Sequence, residues 1–381
     1  MAEPRPSSFH VGLNAHLLSG EETYRSAGVH QYIRHLLLHL PQAGCRLTAL
    51  LGPDSPQVAD GYGVERASWP THRPLGRITW EQLAQPAALR RIEADLAHGP
   101  VFVGPLMASC PFVVTLHDLS FFRFPHLFHP AKRLYLRALT RLSVRRARRV
   151  IAVSQHAAEE AERLLGMDPA KVDVVYHGVD PRFHPRSGEE VAAFKARQGL
   201  PERVVLFLGT LEPRKNLVRL VEAFHQLDAP DVALVLAGGR GWYDEEIFAC
   251  VERLNLEERV LFPGYVPEEA LPLWYNAATV FAYPSLYEGF GMPVTEAQAS
   301  GVPTLTSDQS SLPEAAGDGA LLVDPTDVDA MADGLRRLLA NVALREDLRQ
   351  RGMAHAARFT WQQMAVETAQ VYRRALEGGA V

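Results

Sequence analysis

Two glutamates separated by seven residues, Glu288 and Glu296, bracket the run Tyr287-Glu288-Gly289-Phe290-Gly291-Met292-Pro293-Val294-Thr295-Glu296-Ala297. Carboxylates so placed can accept hydrogen bonds from hydroxyl groups, or serve as an acid and a nucleophile. The apolar run Val280–Ala282 ahead of them reads as a strand, followed by a glycine-containing loop and a helix that stops at Gly301. Pro293 sits where the first helical residue belongs. Gly289 and Gly291 let backbone N–H groups approach a ligand, and a helix N-terminus adds N–H donors and a positive dipole end. A phosphate or sugar oxygen would be held well there by Gly289, Phe290, Gly291 and Met292. The spacing puts Glu288 ahead of the loop and Glu296 in the first helical turn, facing one pocket from different sides. The plainer alternative makes Glu296 an acid complementing the helix dipole and Glu288 a solvated loop residue.

A second run, Gly209-Thr210-Leu211-Glu212-Pro213-Arg214-Lys215-Asn216, also follows an apolar strand pattern and opens a helix. Adjacent cations at a helix start oppose its dipole, and a bound anion would remove the conflict; the alternative is a pair of solvated side chains. His117, at the carboxyl end of the strand pattern Phe112–Leu116, can hydrogen-bond a substrate hydroxyl, or else cap the strand or edge the core. Gly28, ahead of the first long helical pattern, offers another helix N-terminus to an anion. No GxGxxG follows the first strand pattern, so dinucleotide binding has little support, and no GxxxxGK[ST] P-loop occurs.

The elements that must position these residues alternate along the chain. Phe9–Leu17 reads as a strand, and the helix after it carries Val29, Tyr32, Ile33, Leu36, Leu37 and Leu40 on one stripe. Strand patterns recur at Arg46–Leu51, Phe112–Leu116, Val150–Val153 and Val172–Tyr176. His177–Gly188, with two prolines and two glycines and no periodicity, reads as a linker. The alternation then restarts with strands at Val204–Leu208, Val232–Ala237, Val260–Phe262, Val280–Ala282, Val302–Leu305 and Leu321–Val323. Helices are expected at Asn216–Leu227, Asp244–Leu254 and Glu268–Asn276, with two or three more closing the chain. Val- and Leu-rich strands alternating with helices imply parallel sheets covered on both faces. The 381 residues allow two domains at about 150 residues each. The expected architecture is α/β: two Rossmann-like, doubly wound parallel-sheet domains facing a central cleft, with ligands outside the carboxyl ends of the strands. The expected boundaries are 1–180 for the first domain, 181–358 for the second, and 359–381 for a final helix returning to the first.

Composition excludes several classes. With 39 Lys+Arg against 44 Asp+Glu the net charge is −5, which argues against a dedicated nucleic-acid binder. Only four of the cations are lysines (Lys132, Lys171, Lys195, Lys215). The three cysteines form no CxxC pair and fit a reducing compartment. The first ten residues lack the apolar core of a signal peptide, and no apolar stretch reaches the roughly 18 residues of a membrane span. A soluble, cytoplasmic protein is expected.

Taken together, these motifs resemble the retaining two-domain (GT-B type) glycosyltransferases, a family that includes the bacterial mannosyltransferases and sucrose synthase. The two glutamates around the GFG-x-P loop are the most specific part. AVS at 152–154, HGVD at 177–180, GTLEPRKN at 209–216, AGGRGW at 237–242 and GYV at 264–266 follow in the family's order. GTLEPRKN and GGRGW look most like the bacterial polysaccharide mannosyltransferases. The resemblance implies a hexosyltransferase using a nucleotide-diphosphate sugar as co-substrate, with GDP-mannose favoured over UDP sugars, no further cofactor and no metal. It implies that Glu296 binds the ribose hydroxyls and that Arg214 and Lys215 neutralise the donor diphosphate. Glu288 and the backbone of Gly289 to Met292 would hold the donor sugar, and His117 would contact its hydroxyls. The Val266 region would hold the base, with Gly28 near the diphosphate and acceptor. Two departures stand out: Thr210 occupies a position where many members have arginine, and Ala27-Gly28 replaces paired glycines.

Cations aimed at a diphosphate leaving group lower the barrier to its departure. The implied route is attack by an acceptor hydroxyl on the leaving group's own face, with Glu288 positioning rather than forming a sugar ester. The one literal DxD, Asp327-Val328-Asp329, opens a helix and reads as first-turn acids rather than metal ligands. Lys132–Arg149 reads as a helix with Arg133, Arg137, Arg141 and Arg145 on one face, preceded by Phe121, Phe122, Phe124 and Phe128. Basic residues beside exposed aromatics suit weak peripheral contact with an anionic membrane or a lipid-diphosphate acceptor; the alternative is a solvated face over buried phenylalanines. Other activities compatible with the residues are a glycosidase, a nucleotide-sugar epimerase and a non-catalytic sugar-nucleotide binding protein.

Overall fold

The computed structural model describes residues 9–18, 28–68, 71, 74–125, 128–227 and 229–377. The chain divides into two compact units, Met1–Gly178 together with Trp361–Val381, and Val179–Thr360.

In the first unit seven parallel strands are ordered β3-β2-β1-β4-β5-β6-β7: β1 (His10–Asn14), β2 (Arg46–Leu51), β3 (Gly63–Arg66), β4 (Leu96–Gly99), β5 (Phe112–Leu116), β6 (Arg149–Ala152) and β7 (Val172–Val174). Its helices are α1 (Gly28–His39), α2 (Pro74–Thr79), α3 (Gln85–Arg91), α4 (Ser120–Arg123), α5 (Pro130–Arg146) and α6 (Gln155–Leu165). The expected stripe of α1 is buried at Tyr32, Ile33, Leu36 and Leu37. The last helix of the chain, α15 (Trp361–Glu377), also belongs here: Trp361 stacks on His35 at 4.1 Å, and the Tyr372 hydroxyl lies 2.7 Å from His98 Nδ1. Two strands lack an apolar run to announce them. β3 is a half-exposed edge strand (GVER), and β4 is four residues (LAHG) whose His98 is buried by bonding Thr115 and Tyr372.

In the second unit six parallel strands are ordered β10-β9-β8-β11-β12-β13: β8 (Arg203–Leu208), β9 (Val232–Ala237), β10 (Val260–Gly264), β11 (Val280–Tyr283), β12 (Thr304–Ser307) and β13 (Ala320–Val323). β9 (VALVLA) is buried at every residue, the continuous apolar run that a parallel sheet covered on both faces demands. Its helices are α7 (Gly188–Gln198), α8 (Leu217–His225), α9 (Glu245–Arg253), α10 (Leu271–Ala277), α11 (Met292–Ala299), α12 (Leu312–Ala316), α13 (Val328–Ala340) and α14 (Val342–Ala356). The segment read as a linker is ordered in its second half: Phe183 meets Tyr275 edge-on, Arg186 N donates to Asn276 Oδ1, and Ser187 and Glu190 form a capping box on α7. Prolines and missing periodicity marked irregular backbone there, and side-chain contacts order it nonetheless.

Each sheet reverses its strand order once, between β1 and β4 and between β8 and β11. In open parallel sheets ligands bind outside the carboxyl ends of the strands at that reversal. In the second unit these ends lead into Gly209–Asn216 and into residues 284–291.

Candidate active site

The two loops after β8 and β11 are stitched together by backbone. Leu286 N donates to Arg214 O at 2.9 Å, and Asn216 Nδ2 donates to Pro284 O and Pro325 O. Asn216 adopts φ +62°, a left-handed conformation that asparagine tolerates better than most residues. The loops after β8 and β9 meet so closely that a Cβ on Gly238 would lie 1.9 Å from Gly209 O. Ser310 and Ser311 hydroxyls bond the backbone of Glu288, and Ser311 also reaches Phe290 O. The loop is therefore held from both sides.

Four charges converge there. Arg214 bonds Glu212 at 2.6 Å and Glu288 Oε2 at 2.9 Å, while Lys215 Nζ donates to Glu288 Oε1 at 2.6 Å and to the Tyr283 hydroxyl at 2.5 Å. Their side chains are only 4 to 17% exposed. The cluster contains two cations and two carboxylates, so its formal charge is zero. Burial alone would raise the Glu288 pKa, but Arg214 and Lys215 override it and hold the carboxyl at about 2. Burial lowers Lys215, and Glu288 opposes that shift. Arg214 and Lys215 are not the solvated pair that the plainer alternative allowed.

Glu296 belongs to a separate group. The helix α11 starts at Met292 with Gly291 (φ +112°) as its N-cap, so Pro293 is its second residue and Glu296 lies in the second turn. The expected first-turn position is thereby corrected. Gly291 takes the cap because its φ is open to glycine, and a Cβ there would lie 2.9 Å from Leu312 Cδ2. The Tyr275 hydroxyl donates to Glu296 Oε2 at 2.7 Å, and burial raises the carboxyl to about 7 against that bond and the Arg182 charge. Phe290 is buried and meets Phe359 edge-on. Val266 is buried beyond the end of β10, while its neighbour Tyr265 and, after β9, Trp242 and Tyr243 are 42 to 63% exposed.

In the first unit His117 follows β5 and is buried. Its Nε2 lies 2.8 Å from Pro100 O, its ring stacks on His177 at 5.4 Å, and Tyr32 meets it edge-on. A carbonyl can only accept, so Nε2 carries the proton and Nδ1 is left as an acceptor. Burial lowers its pKa, which keeps the ring neutral. Gly28 is the first residue of α1; Ala27 lies outside the described residues.

Two flanking expectations change. The stripe Arg133, Arg137, Arg141 and Arg145 is not a free cationic face: Arg133 bonds Pro125 O, Arg137 bonds Phe121 O and Phe122 O, and Arg137 and Arg141 lie over the Phe122 ring. The phenylalanines are not exposed either, with Phe121 in the core and Phe122 and Phe128 packed against it. The helix ends at Arg146 because Arg149 enters β6. Its exposed face carries Lys132, Leu134, Arg141, Leu142, Arg145 and Arg146. Asp327 caps α13 by accepting from Ala330 N, and Asp329 accepts from Gln226. Among the described residues no three His, Cys, Asp or Glu side chains form a metal-holding group, and no helix is long and apolar enough to cross a membrane.

Tyr275, Tyr283, Ser310 and Ser311 were not legible as site residues. The tyrosines read as core aromatics, and only a charged group at the end of each hydroxyl distinguishes them.

Residues 190–355 match the family described as glycosyl transferases group 1, and residues 26–183 match glycosyltransferase family 4. The O-antigen chain mannosyltransferase B of Escherichia coli is 35% identical over 291 residues, covering 75% of this chain and 76% of that protein. Among solved structures, sucrose-phosphate synthase from Thermosynechococcus elongatus superposes with a TM-score of 0.79 at 23% identity, over 96% of this chain and 98% of that one. Anabaena HepE in complex with UDP and glucose superposes with a TM-score of 0.77 at 22% identity, over 96% and 99%. Both share the fold. With two parallel α/β units, matches to both family domains and this degree of identity to a mannosyltransferase, the chain belongs to the GT-B glycosyltransferases and resembles the polysaccharide mannosyltransferases among them.

Proposed function

We propose that this enzyme transfers mannose from GDP-mannose to a hydroxyl of a glycan or lipid-linked acceptor, with retention at the anomeric carbon and without a metal ion. The observation that carries this reading is the buried, charge-balanced cluster of Glu212, Arg214, Lys215 and Glu288 where the strand order reverses. In this reading the donor diphosphate takes Arg214 and Lys215 as partners, and their charges stand in for a metal. As the bond from C1 to the diphosphate breaks, these cations and the N–H groups of Gly289 to Met292 meet the growing negative charge. Glu288, held ionised far below neutral pH, has no proton to give and stabilises the positive charge developing at C1. The acceptor oxygen bonds C1 on the face the diphosphate leaves, and its proton passes to a leaving diphosphate oxygen. Glu296 accepts from the ribose hydroxyls, the Val266 region takes the base, His117 contacts sugar hydroxyls through Nδ1, and Gly28 lies near the diphosphate and acceptor. Mannose is supported by the O-antigen relative, and the UDP complex of HepE makes UDP sugars the competitors to test. The reaction draws on the cytoplasmic pool of nucleotide sugars. The exposed Leu134 and Leu142, beside Lys132, Arg141, Arg145 and Arg146, favour weak contact with an anionic membrane.

Transfer assayed with GDP-mannose, UDP-glucose, UDP-N-acetylglucosamine and ADP-glucose, with the product anomer read by NMR, tests the proposal. Preference for a UDP sugar, or an inverted product, would overturn it. Activity lost in EDTA and restored by Mn²⁺ or Mg²⁺ would overturn metal independence.

A further inference from the structure

Around Glu296 in the second unit, one arginine serves three carboxylates. Arg182, on the segment that follows β7, donates to Asp180 Oδ2 at 3.3 Å and pairs with Glu268 in the 3₁₀ turn Glu268–Ala270 that leads into α10. Its backbone N–H donates to Asp180 Oδ1 at 2.9 Å. The segment is fastened to α10 as well. Arg186 N donates to Asn276 Oδ1 at 2.7 Å, Asn276 Nδ2 donates to His184 O at 3.1 Å, and the Phe183 ring meets Tyr275 edge-on at 5.6 Å. Tyr275 is the residue whose hydroxyl donates to Glu296 Oε2. Hydrogen bonds and ring contacts thus hold the Arg182 segment, α10 and α11 in one arrangement.

With Glu296 protonated this group carries one positive and two negative charges, and ionising Glu296 adds a third negative charge. Burial opposes that ionisation, and so do Glu268 and Asp180; the Tyr275 hydrogen bond and the Arg182 charge work for it. Charges on the neighbouring elements are engaged elsewhere. On α14 Arg349 bonds Glu346, His355 Nε2 lies 3.0 Å from Glu314 O of α12, and the Tyr283 hydroxyl of β11 receives Lys215. Arg186 donates to Arg182 O. An opposite charge nearby favours an ionised carboxylate and a like charge the neutral acid. The difference matters for a nucleotide, because an ionised carboxylate accepts from both ribose hydroxyls, whereas a protonated one sets a hydrogen of its own in one of those places.

We propose that Arg182 is a positioning residue for donor binding: held by Asp180 and Glu268, it keeps Glu296 ionised to receive the ribose hydroxyls, while the segment it anchors holds Tyr275 against that carboxylate. Glu296 touches the nucleotide, and Arg182 acts through it. This rests on the donor-binding role given to Glu296 above and adds its control, with Asp180 and Glu268 acting on Glu296 in the direction opposite to Arg182. What Arg182 supplies is charge, so lysine substitutes for it in part and glutamine does not.

The test titrates the full chain with GDP and with 2′,3′-dideoxy-GDP by calorimetry across a range of pH. The ratio of the two affinities isolates the ribose hydroxyls, because phosphate and base titrate alike in both nucleotides. In the parent the ratio is expected to fall as pH drops through about 7, where Glu296 takes up its proton. Arg182→Gln should move that inflection upward by about one pH unit, leaving Glu296 about one-tenth ionised at pH 7 in place of about one-half and lowering the ratio about fivefold. Arg182→Lys should restore most of the shift. Glu268→Gln removes a like charge and should move the inflection downward, which keeps the proposal falsifiable where Arg182→Gln fails to fold. A merely structural role would weaken binding in every variant without shifts of opposite sign. Inflections that stay at the parent's pH, or that move the same way in Arg182→Gln and Glu268→Gln, would overturn the proposal. Failure of the donor-binding reading looks different: a parent that binds GDP no more tightly than its dideoxy form at any pH refutes the ribose role of Glu296, and the role of Arg182 falls with it.

Discussion

Replacing Glu288 by glutamine removes one charge from the balanced cluster and keeps its shape. Arg214 retains Glu212, but Lys215, about nine-tenths buried, keeps only the Tyr283 hydroxyl. Breaking a buried ion pair by removing one partner costs about 3–5 kcal/mol, because the other charge is left uncompensated. The depression of the Glu288 pKa from 4.5 to about 2 gives a second route to the magnitude, on the order of 3 kcal/mol favouring the ionised form. Both routes agree at ~3 kcal/mol. For a unit of this size 1 kcal/mol moves Tm by about 2–4 °C, so Glu288→Gln is expected to melt about 6–12 °C below the parent. GDP brings its own negative charge to the stranded cation, so saturating GDP should raise the Tm of the variant more than that of the parent. Adding Lys215→Met should recover part of the loss, since removing both partners of a pair costs less than removing one. The assay is thermal unfolding by circular dichroism with and without GDP. A variant within about 2 °C of the parent, with an equal GDP increment, would refute the account of the cluster.

Four other expectations follow from named groups. Glu296, raised from 4.5 to about 7, holds its proton in the folded chain where the unfolded chain has lost it, so it costs stability as pH rises through that window. Glu296→Gln should therefore make the ligand-free protein more stable at pH 8 by up to ~3 kcal/mol while weakening donor binding, measured by urea unfolding and donor titration. Tyr275→Phe removes a bond that lowers the Glu296 pKa, so the pH at which donor affinity falls should move upward; an unmoved profile would exclude Tyr275 as its positioning residue. His98, lowered by burial to about 3, binds its proton in the unfolded chain first, so stability should fall as pH drops below 6.5, by roughly 2 kcal/mol from this residue at pH 5; denaturant midpoints between pH 7 and 5 check it. Liposomes containing anionic lipid should retain the parent, and should retain less of an Arg141→Glu/Arg145→Glu variant; equal recovery in the supernatant with and without liposomes would remove the membrane contact.

What could be read from the chain divides by how local the signal is. Continuous apolar runs declared β8 and β9, and glycine, proline and adjacent charge declared the loops that leave β8 and β11. Arg214 and Lys215 could be picked out because two cations at the start of a helix conflict with its dipole. Their partner was not local: Glu288 is 73 residues away from Lys215, and only the adjacency of β8 and β11 brings the two together. The same holds for Tyr275 and Glu296, 21 residues apart, where the tyrosine reads as an ordinary core aromatic. β4 escaped because His98 replaces an apolar residue, its ring nitrogens satisfied from β5 and from α15 far along the chain. The arginines of α5 misled for the converse reason. Their spacing correctly gave one helical face, but spacing carries no information about what covers that face, and the carbonyls of the phenylalanine segment cover it. Charges that conflict with their own element are therefore legible one at a time, whereas charges satisfied by another element become visible only once strand order is known.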